Sequence, residues 1–443
     1  MGNRVCMSRR TLAFFFWLKA TFAMALSMAG LGYMVYRIYV LHRDAVAPIG
    51  TTPKSVPIPI DPASAVCRRS SSLAPLEPPT GNTLIGYHYD WSYDTPALFA
   101  NRVGLRPAVV NAFMAMQPSA TNALDWNMLS WHAWQVSLVG GIFQLSIMPT
   151  TLTGIPDEAY TTIAAQIKAI NSERGVPMIV RFGHEMNGNW MTYGYKPSQY
   201  TTEFRRITNA IRAQTNMTAM MWAPNIGLSY PWTTGGVIDL PTAATDPTNF
   251  ALMDTNGDGK LDGGDDPYGP YYPGDEYVDW VGISLYWYIS AGANTLIQDG
   301  YIYANLKGSI TGDSAVGLNL TARNFYDRFA SAKNKPMALP ESGAPWVASA
   351  VTAATTTTEL LVKQSWWTQV LSTQTLQVDF PLLKLVVNFE EKKTDTAGTA
   401  DNDWRVGNSS VVYTPYASFI NSKTNLVLAN RLSFSCGGTL SVS

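Results

Sequence analysis

The stretch PMIVRFGHEMNGNW, Pro177 to Trp190, reads as a buried strand that runs out into a loop. Its apolar start does not alternate, as expected of a strand covered on both faces, and polar and glycine residues follow it. Parallel barrels and open α/β sheets display their chemistry at such strand ends. Arg181, His184, Glu185, Asn187 and Asn189 crowd together here. Such groups are costly to bury without partners. Trp190 adds a flat apolar face beside them. Alone, the stretch reads equally well as a satisfied polar network closing a strand.

A second stretch of the same kind changes the balance. In KPMALPESGAPW, Lys335 to Trp346, another short apolar run carries Glu341 at its end. By itself Glu341 could be a salt-bridged loop anchor. Two strand-end glutamates far apart in sequence, however, suggest the paired carboxylates of a retaining glycosidase, in which one protonates the leaving oxygen and the other, about 5–5.5 Å away, attacks the anomeric carbon.

Outward from these stretches the chain alternates. Leu84 to Asp90, Arg106 to Met114 and Gly141 to Pro149 read as strands ahead of the Glu185 strand. Met217 to Asn225, Asp279 to Trp287, the Glu341 run and Leu382 to Glu390 read as strands after it. Between them lie helical periodicities, such as Ile163, Ile167 and Ile170 in one segment and Tyr200, Phe204, Ile207 and Ile211 in the next. A further helix is expected from about Thr321. Eight strands, each followed by a helix or an insertion, predict an α/β fold of the (β/α)₈ TIM-barrel type, with a long insertion between strands 5 and 6 over Ile226 to Val278.

The 443 residues divide into three expected regions: 1–41, a cytosolic tail and transmembrane anchor; 42–80, a Pro- and Ser-rich stalk; and 81–443, the barrel. The run from Ala20 to Tyr36 is about long enough to cross a bilayer. Arg4, Arg9, Arg10 and Lys19 precede it, which orients the chain as a single-pass type II membrane protein with its body lumenal or extracellular. A cleaved signal peptide and a secreted body is the alternative. Asn216, Asn319 and Asn408 begin glycosylation sequons consistent with either route. Cys67 and Cys436 flank the body and could pair in an oxidising compartment or remain thiols, and Cys6 would stay cytosolic. Net charge is -1 and charged residues are sparse, so nucleic acid is not an expected partner. A monomer is expected.

Inside the insertion, DTNGDGKLDGGD spans Asp254 to Asp265. Asp254, Asn256, Asp258, Asp262 and Asp265 fall at positions one, three, five, nine and twelve, with Gly259 at six and Lys260 at seven. This is the spacing of an EF-hand-type calcium loop, with Asp265 in place of the usual terminal Glu. A structural Ca²⁺ ion is therefore expected. Zinc patterns are absent, and the chain has only four histidines.

Arg181, His184, Glu185, Asn187, Gly188 and Trp190 together resemble the signature of glycoside hydrolase family 26, known for endo-β-1,4-mannanases and including β-glucanases and β-1,3-xylanases. Tyr271 to Trp287, the MWAPN run and Asp403 to Val406 extend the resemblance over roughly Thr83 to Leu428. It implies a retaining hydrolase of β-linked polysaccharide, most simply mannan, with Glu185 as acid/base and Glu341 as nucleophile. It further implies that His184 tunes the acid, that Tyr286 donates to the nucleophile, and that Trp190 is a sugar platform. Arg181, Asn225, Trp287 and Trp346 complete the expected substrate-binding set. The eighth strand, VVNFEE, and the third-strand end, SIMPT, depart from the family at sugar-binding positions. A catalytically silent lectin-like barrel, a tethered adhesive protein and a transglycosylase are competing readings.

Overall fold

The apolar runs become parallel strands because their outer faces are covered, by helices or, for Trp222, by Tyr272 of the insertion together with Phe325 and Phe329. The computed structural model describes residues 72–287, 294–394, 401–435 and 438–443. Its barrel strands are β1 (Thr83–Tyr89), β2 (Val109–Met116), β3 (Ile142–Pro149), β4 (Met178–Phe182), β5 (Thr218–Trp222), β6 (Trp280–Gly282), β7 (Met337–Gly343) and β8 (Leu383–Glu390). Each pairs in parallel with the next, and β8 pairs with β1 as well as β7, closing an eight-stranded barrel.

The helices start and stop where their sequences say. After β1 and β2 come α1 (Pro96–Val103) and α2 (Trp126–Val139), and α2 is capped by Asp125, which accepts from the Asn127 and Met128 amides, and ended by Gly140 in the left-handed region. Next come α3 (Asp157–Arg174) and α4 (Pro197–Arg212). Proline opens α4 at a position whose N–H would have no partner, and Tyr200, Phe204, Ile207 and Ile211 form its buried stripe. Later in the chain are α5 (Pro247–Met253), α6 (Tyr301–Lys307), α7 (Glu359–Val370) and α8 (Ser410–Asn421).

The barrel interior is graded from apolar to polar. At its base Ile142, Ile179, Ala219, Trp280, Leu385 and Val387 pack as one buried cluster. Toward the C-terminal mouth the inward positions become His88, Asn111, Gln144, Ser146, Arg181 and Ser284, all buried. Asn111 Oδ1 ties this layer together by accepting from Gln144 Nε2 at 2.9 Å and Ser146 Oγ at 2.7 Å. Stability is thus concentrated at the base, and polar chemistry at the mouth.

The described end of the range assigned to the stalk packs on the barrel: Leu76 is fully buried against the barrel base, donates its N–H to Gly438 O at 2.8 Å, and lies beside Pro75, whose carbonyl accepts from Trp280 Nε1 at 2.8 Å. Two expectations are corrected. The sixth strand is not continuous over Asp279 to Trp287. It breaks after Gly282, Ser284 bridges to Asn225, and Leu285–Tyr286 resume alongside the end of β7. The helix expected from Thr321 is a short turn, Leu320–Arg323, followed by a π-helical segment, Tyr326–Ser331.

The insertion lies between β5 and β6 as expected. Buried Arg323 pins it by donating to the carbonyls of Gly227, Gly263 and Tyr230 at 2.9–3.1 Å, and Arg328 pairs with Asp266. The expected membrane segment, most of the stalk, and Cys6, Cys67 and Cys436 lie outside the described residues. Among the described residues no helix is long and apolar enough to cross a membrane.

Candidate active site

Glu185 and Glu341 meet at the C-terminal mouth, and each arrives there by a local distortion. Glu185 follows β4 with φ +54°, a conformation costly for a non-glycine residue, and its N–H donates to Ala223 O at 2.9 Å. Such strain persists where surrounding contacts fix it. Glu341 sits in a bulge. Leu339 and Ser342 of β7 register with Val386 and Asn388 of β8, so Pro340 and Glu341 together oppose one residue, Val387. Bulges re-aim side chains, and proline, lacking an N–H, is tolerated there.

The two carboxylates have opposite settings. Glu341 accepts from Arg181 Nη1 and, at 3.0 Å, from the Tyr286 hydroxyl, with His184 Nε2 at 3.9 Å. Burial pushes the Glu341 carboxyl up, but Arg181, fully buried and adjacent, outweighs it and holds the group at about 2. Burial, then the negative charge of Glu341, raise Glu185 above the usual carboxylate range, and Arg181 lowers it by less than they raise it. Its oxygens are oriented by Trp190 Nε1 at 2.6 Å and Asn225 Nδ2 at 2.9 Å. One member is thus kept ionised and the other is biased toward its acid form.

The remaining expected residues fall into two groups. Brought to the carboxylates are Arg181, His184, Trp190, Asn225 and Tyr286. Arg181 serves the nucleophile from a fully buried position. His184 lies against Glu341, and burial followed by the charge of Arg181 lowers its ring to about 3, so it is neutral. Trp190 presents its N–H to Glu185 while its ring packs over Gly188 and edge-on to Trp232 at 4.8 Å. Among the described residues neither Trp287 nor Trp346 hydrogen-bonds a carboxylate of the pair. Trp287 is buried, donates to Thr295 O at 3.1 Å and packs edge-on against Tyr301. Trp346 pairs through its backbone with Asp403 and packs on the core.

Ser284 is the residue the sequence reading missed. Its hydroxyl accepts from Arg181 Nη2 at 2.8 Å and also hydrogen-bonds Glu185, linking the two halves of the site. The available signal was its spacing two residues before Tyr286, which puts both on one face of a strand. Asn187 acts one step back. It exchanges hydrogen bonds with the Asn225 backbone at 2.9 Å in each direction, fixing the residue that orients Glu185.

Tyr286→Phe removes one donor from ionised Glu341. The expected result is a fall in kcat of about tenfold or more, with the acid limb of the pH profile moved upward. Steady-state kinetics across pH check it.

The acidic loop behaves differently from the site. Asp254 accepts from the Asp258 and Gly259 amides, Asp258 from Lys260, and Asp262 from Gly264, at 2.7–3.1 Å. Asn256 accepts from Asp258 at 3.0 Å. Buried Asp265 accepts from Thr255 and Asp262 amides at 2.7 and 2.9 Å. The oxygen donor set suits calcium chemically. Among the described residues, though, no three His, Cys, Asp or Glu side chains converge as a metal cluster requires.

A closed parallel barrel with two buried carboxylates in opposed settings at its mouth is the arrangement of a glycosidase, and the chain is a glycoside hydrolase. The sequence model of glycosyl hydrolase family 26 matches residues 155–234, which include Glu185. Among solved structures the chain is similar to GH26C from a Muricauda species, at 12% identity over 80% of this chain and 88% of that one, with a TM-score of 0.48. It is also similar to the catalytic domain of a Bacillus GH26 endo-β-1,4-mannanase, at 16% identity over 79% and 88%, TM-score 0.45. A third is the endo-1,4-β-D-mannanase of Thermotoga petrophila RKU-1, at 12% identity over 76% and 99%, TM-score 0.42. No curated protein matches the chain in sequence.

Proposed function

We propose that the protein is a retaining endo-acting hydrolase of β-linked polysaccharide, with β-1,4-mannan as its substrate. The observation that carries the reading is the opposed setting of the two carboxyl groups at one mouth: Glu341 is paired with Arg181 and held at about 2, and Glu185, bonded to Trp190 and Asn225, is raised by burial and by Glu341. Pairs whose surroundings push their pKa values apart divide into acid and base roles. Glu341 attacks the anomeric carbon as a carboxylate while Glu185 gives its proton to the leaving oxygen. In the second step Glu185, now a base, takes a proton from the water that releases the sugar from Glu341. The substrate assignment rests on the family 26 match and on the mannanase names of the similar structures. The test is product analysis on β-mannan, mixed-linkage glucan, β-1,3-glucan and xylan, with Glu185→Ala alongside. Cleavage of mannan that disappears in the variant supports the reading. Binding to a polymer without cleavage of any would favour a lectin-like barrel.

Three further parts of the reading are proposals. The protein is anchored as a type II membrane protein by residues 20–36, with the barrel on the lumenal or extracellular side, and it acts as a monomer. Calcium bound at Asp254, Asn256, Asp258, Lys260, Asp262 and Asp265 braces the insertion. Excess chelator is then expected to lower the melting temperature by several degrees, since a ligand at about 100 times its Kd contributes about 2.7 kcal/mol. An identical melt with and without chelator would remove the ion.

A further inference from the structure

The chain leaves β8 as Phe389-Glu390-Glu391-Lys392-Lys393, a charged run at the open end of the barrel. Strand alternation divides it. Glu390 turns away from the mouth and accepts from the Val406 and Gly407 amides at 2.8 Å. Phe389 turns toward it, stacking on His88 with centroids 4.9 Å apart and meeting Tyr286 edge-on at 5.9 Å. Glu391 follows on the Phe389 side, where His88 Nε2 lies 3.3 Å from its Oε2.

That carboxylate is oriented. Burial pushes Glu391 up, but the His88 hydrogen bond and the charge of Lys393 outweigh it, so the group is ionised. A ring nitrogen facing an ionised oxygen at this distance carries a proton and donates it. The His88 ring is itself clamped, edge-on to Phe113 at 4.7 Å and with Nδ1 accepting from Asn111 Nδ2 at 3.2 Å. Lys393 Nζ approaches the same Oε2 at 3.7 Å and lies 4.9 Å from the Phe389 centroid. Among the described residues Oε1 of Glu391 accepts no hydrogen bond, and the side chain is 20% exposed.

Topology gives the direction this oxygen serves. β8 flanks β7, with Asn388 in register with Ser342 next to Glu341. Glu185 and its donors Trp190 and Asn225 come from the loops after β4 and β5, across the mouth. The acid meets the leaving oxygen and the nucleophile meets the anomeric carbon. The β7–β8 flank is therefore the side of the sugar that Glu341 attacks.

We propose that Glu391 is a specificity-determining residue on the glycone side: a His88-oriented carboxylate whose free oxygen accepts hydrogen bonds from the hydroxyls of a neutral sugar and rejects a uronate. The inference rests on the hydrolase reading above. It is tested with full-length protein, Glu391→Ala and the near-isosteric Glu391→Gln, on an end-labelled oligosaccharide of the polymer cleaved. Expected in Glu391→Ala are a KM raised about 10- to 100-fold, the effect of losing hydrogen bonds to a charged group, and a shift in which bond is cut. Glu391→Gln, which keeps an acceptor and loses the charge, is expected to fall between and to bind a β-linked oligouronate that the wild type refuses. An unchanged KM and bond choice in Glu391→Ala would overturn the proposal, as would a loss of melting temperature with bond choice intact. If the wild type cleaves no polymer, the hydrolase reading fails separately. Titration calorimetry with manno-oligosaccharide then decides the inference, equal affinities of wild type and Glu391→Ala overturning it.

Discussion

Glu341→Ala is expected to lower kcat by at least ~10⁴-fold, the scale seen when a catalytic nucleophile is removed, and to destabilise the protein as well. The second effect follows from Arg181. It is fully buried, and its guanidinium is divided between Glu341 and the Ser284 hydroxyl. Removing the carboxylate leaves a buried cation without its counter-charge, and breaking such a pair costs about 3–5 kcal/mol. Glu341→Gln separates the two consequences. Its amide oxygen can still accept from Arg181, so more of the fold stability survives while the nucleophile is gone. Single-turnover assays and thermal melts on both variants check this. Turnover surviving in a folded Glu341→Gln protein would remove Glu341 from the nucleophile role. The substitution also reaches Glu185, since the Glu341 charge is the second largest cause of its raised pKa after burial. With that charge gone and Arg181 remaining, Glu185 is expected to titrate lower than in the wild type.

How much of this was legible in the sequence depends on the distance over which each feature is encoded. The barrel was, because its strands are continuous apolar runs separated by helical stripes such as Tyr200, Phe204, Ile207 and Ile211, and both patterns are local. The two glutamates were, because a charged residue ending an apolar run is conspicuous. Their partnership with Arg181 was not. Arg181 stands beside His184 and Glu185 in sequence, which suggested a substrate contact, yet its side chain reaches Glu341, 160 residues away, across the barrel. Only the closed sheet creates that neighbour. The family resemblance implied a sugar platform at Trp190, but it did not tell that the Trp190 N–H, aimed by the turn through Gly188, contacts Glu185. The bulge at Pro340–Glu341 was partly written in the proline, but a bulge is a property of two registers and cannot be read from one strand. Trp287 was expected to bind substrate, and it is buried instead, donating to Thr295 O and packing edge-on against Tyr301 at the start of α6.

Removing Glu185 should change the shape of the pH profile as well as its height. In the wild type, Glu341 acts as a carboxylate, so activity rises as pH passes its value of about 2. Glu185 acts first as an acid, so activity falls as pH passes its own value, which burial and Glu341 raise above the ordinary range. The result is a bell whose basic limb belongs to Glu185. Glu390 complicates the reading. Burial lifts it to about 7 even though Val406 and Gly407 amides hold its carboxylate, and it titrates behind the barrel wall without touching the pair. Glu185→Ala distinguishes the two. It is expected to cost about 10²- to 10⁴-fold in kcat on polysaccharide, the worth of a positioned general acid, and to abolish the basic limb. A limb that persists near pH 7 in the variant would belong to Glu390 or another group. A substrate whose leaving group needs no proton tests the same role from the other side. With an activated aryl glycoside, formation of the glycosyl-enzyme on Glu341 should proceed in Glu185→Ala, while its hydrolysis stalls for want of a base. A small anion such as azide, which attacks without giving up a proton, should restore turnover and yield the β-glycosyl azide. Failure of azide to do so, in a variant that still forms the intermediate, would mean that Glu185 is not the base of the second step.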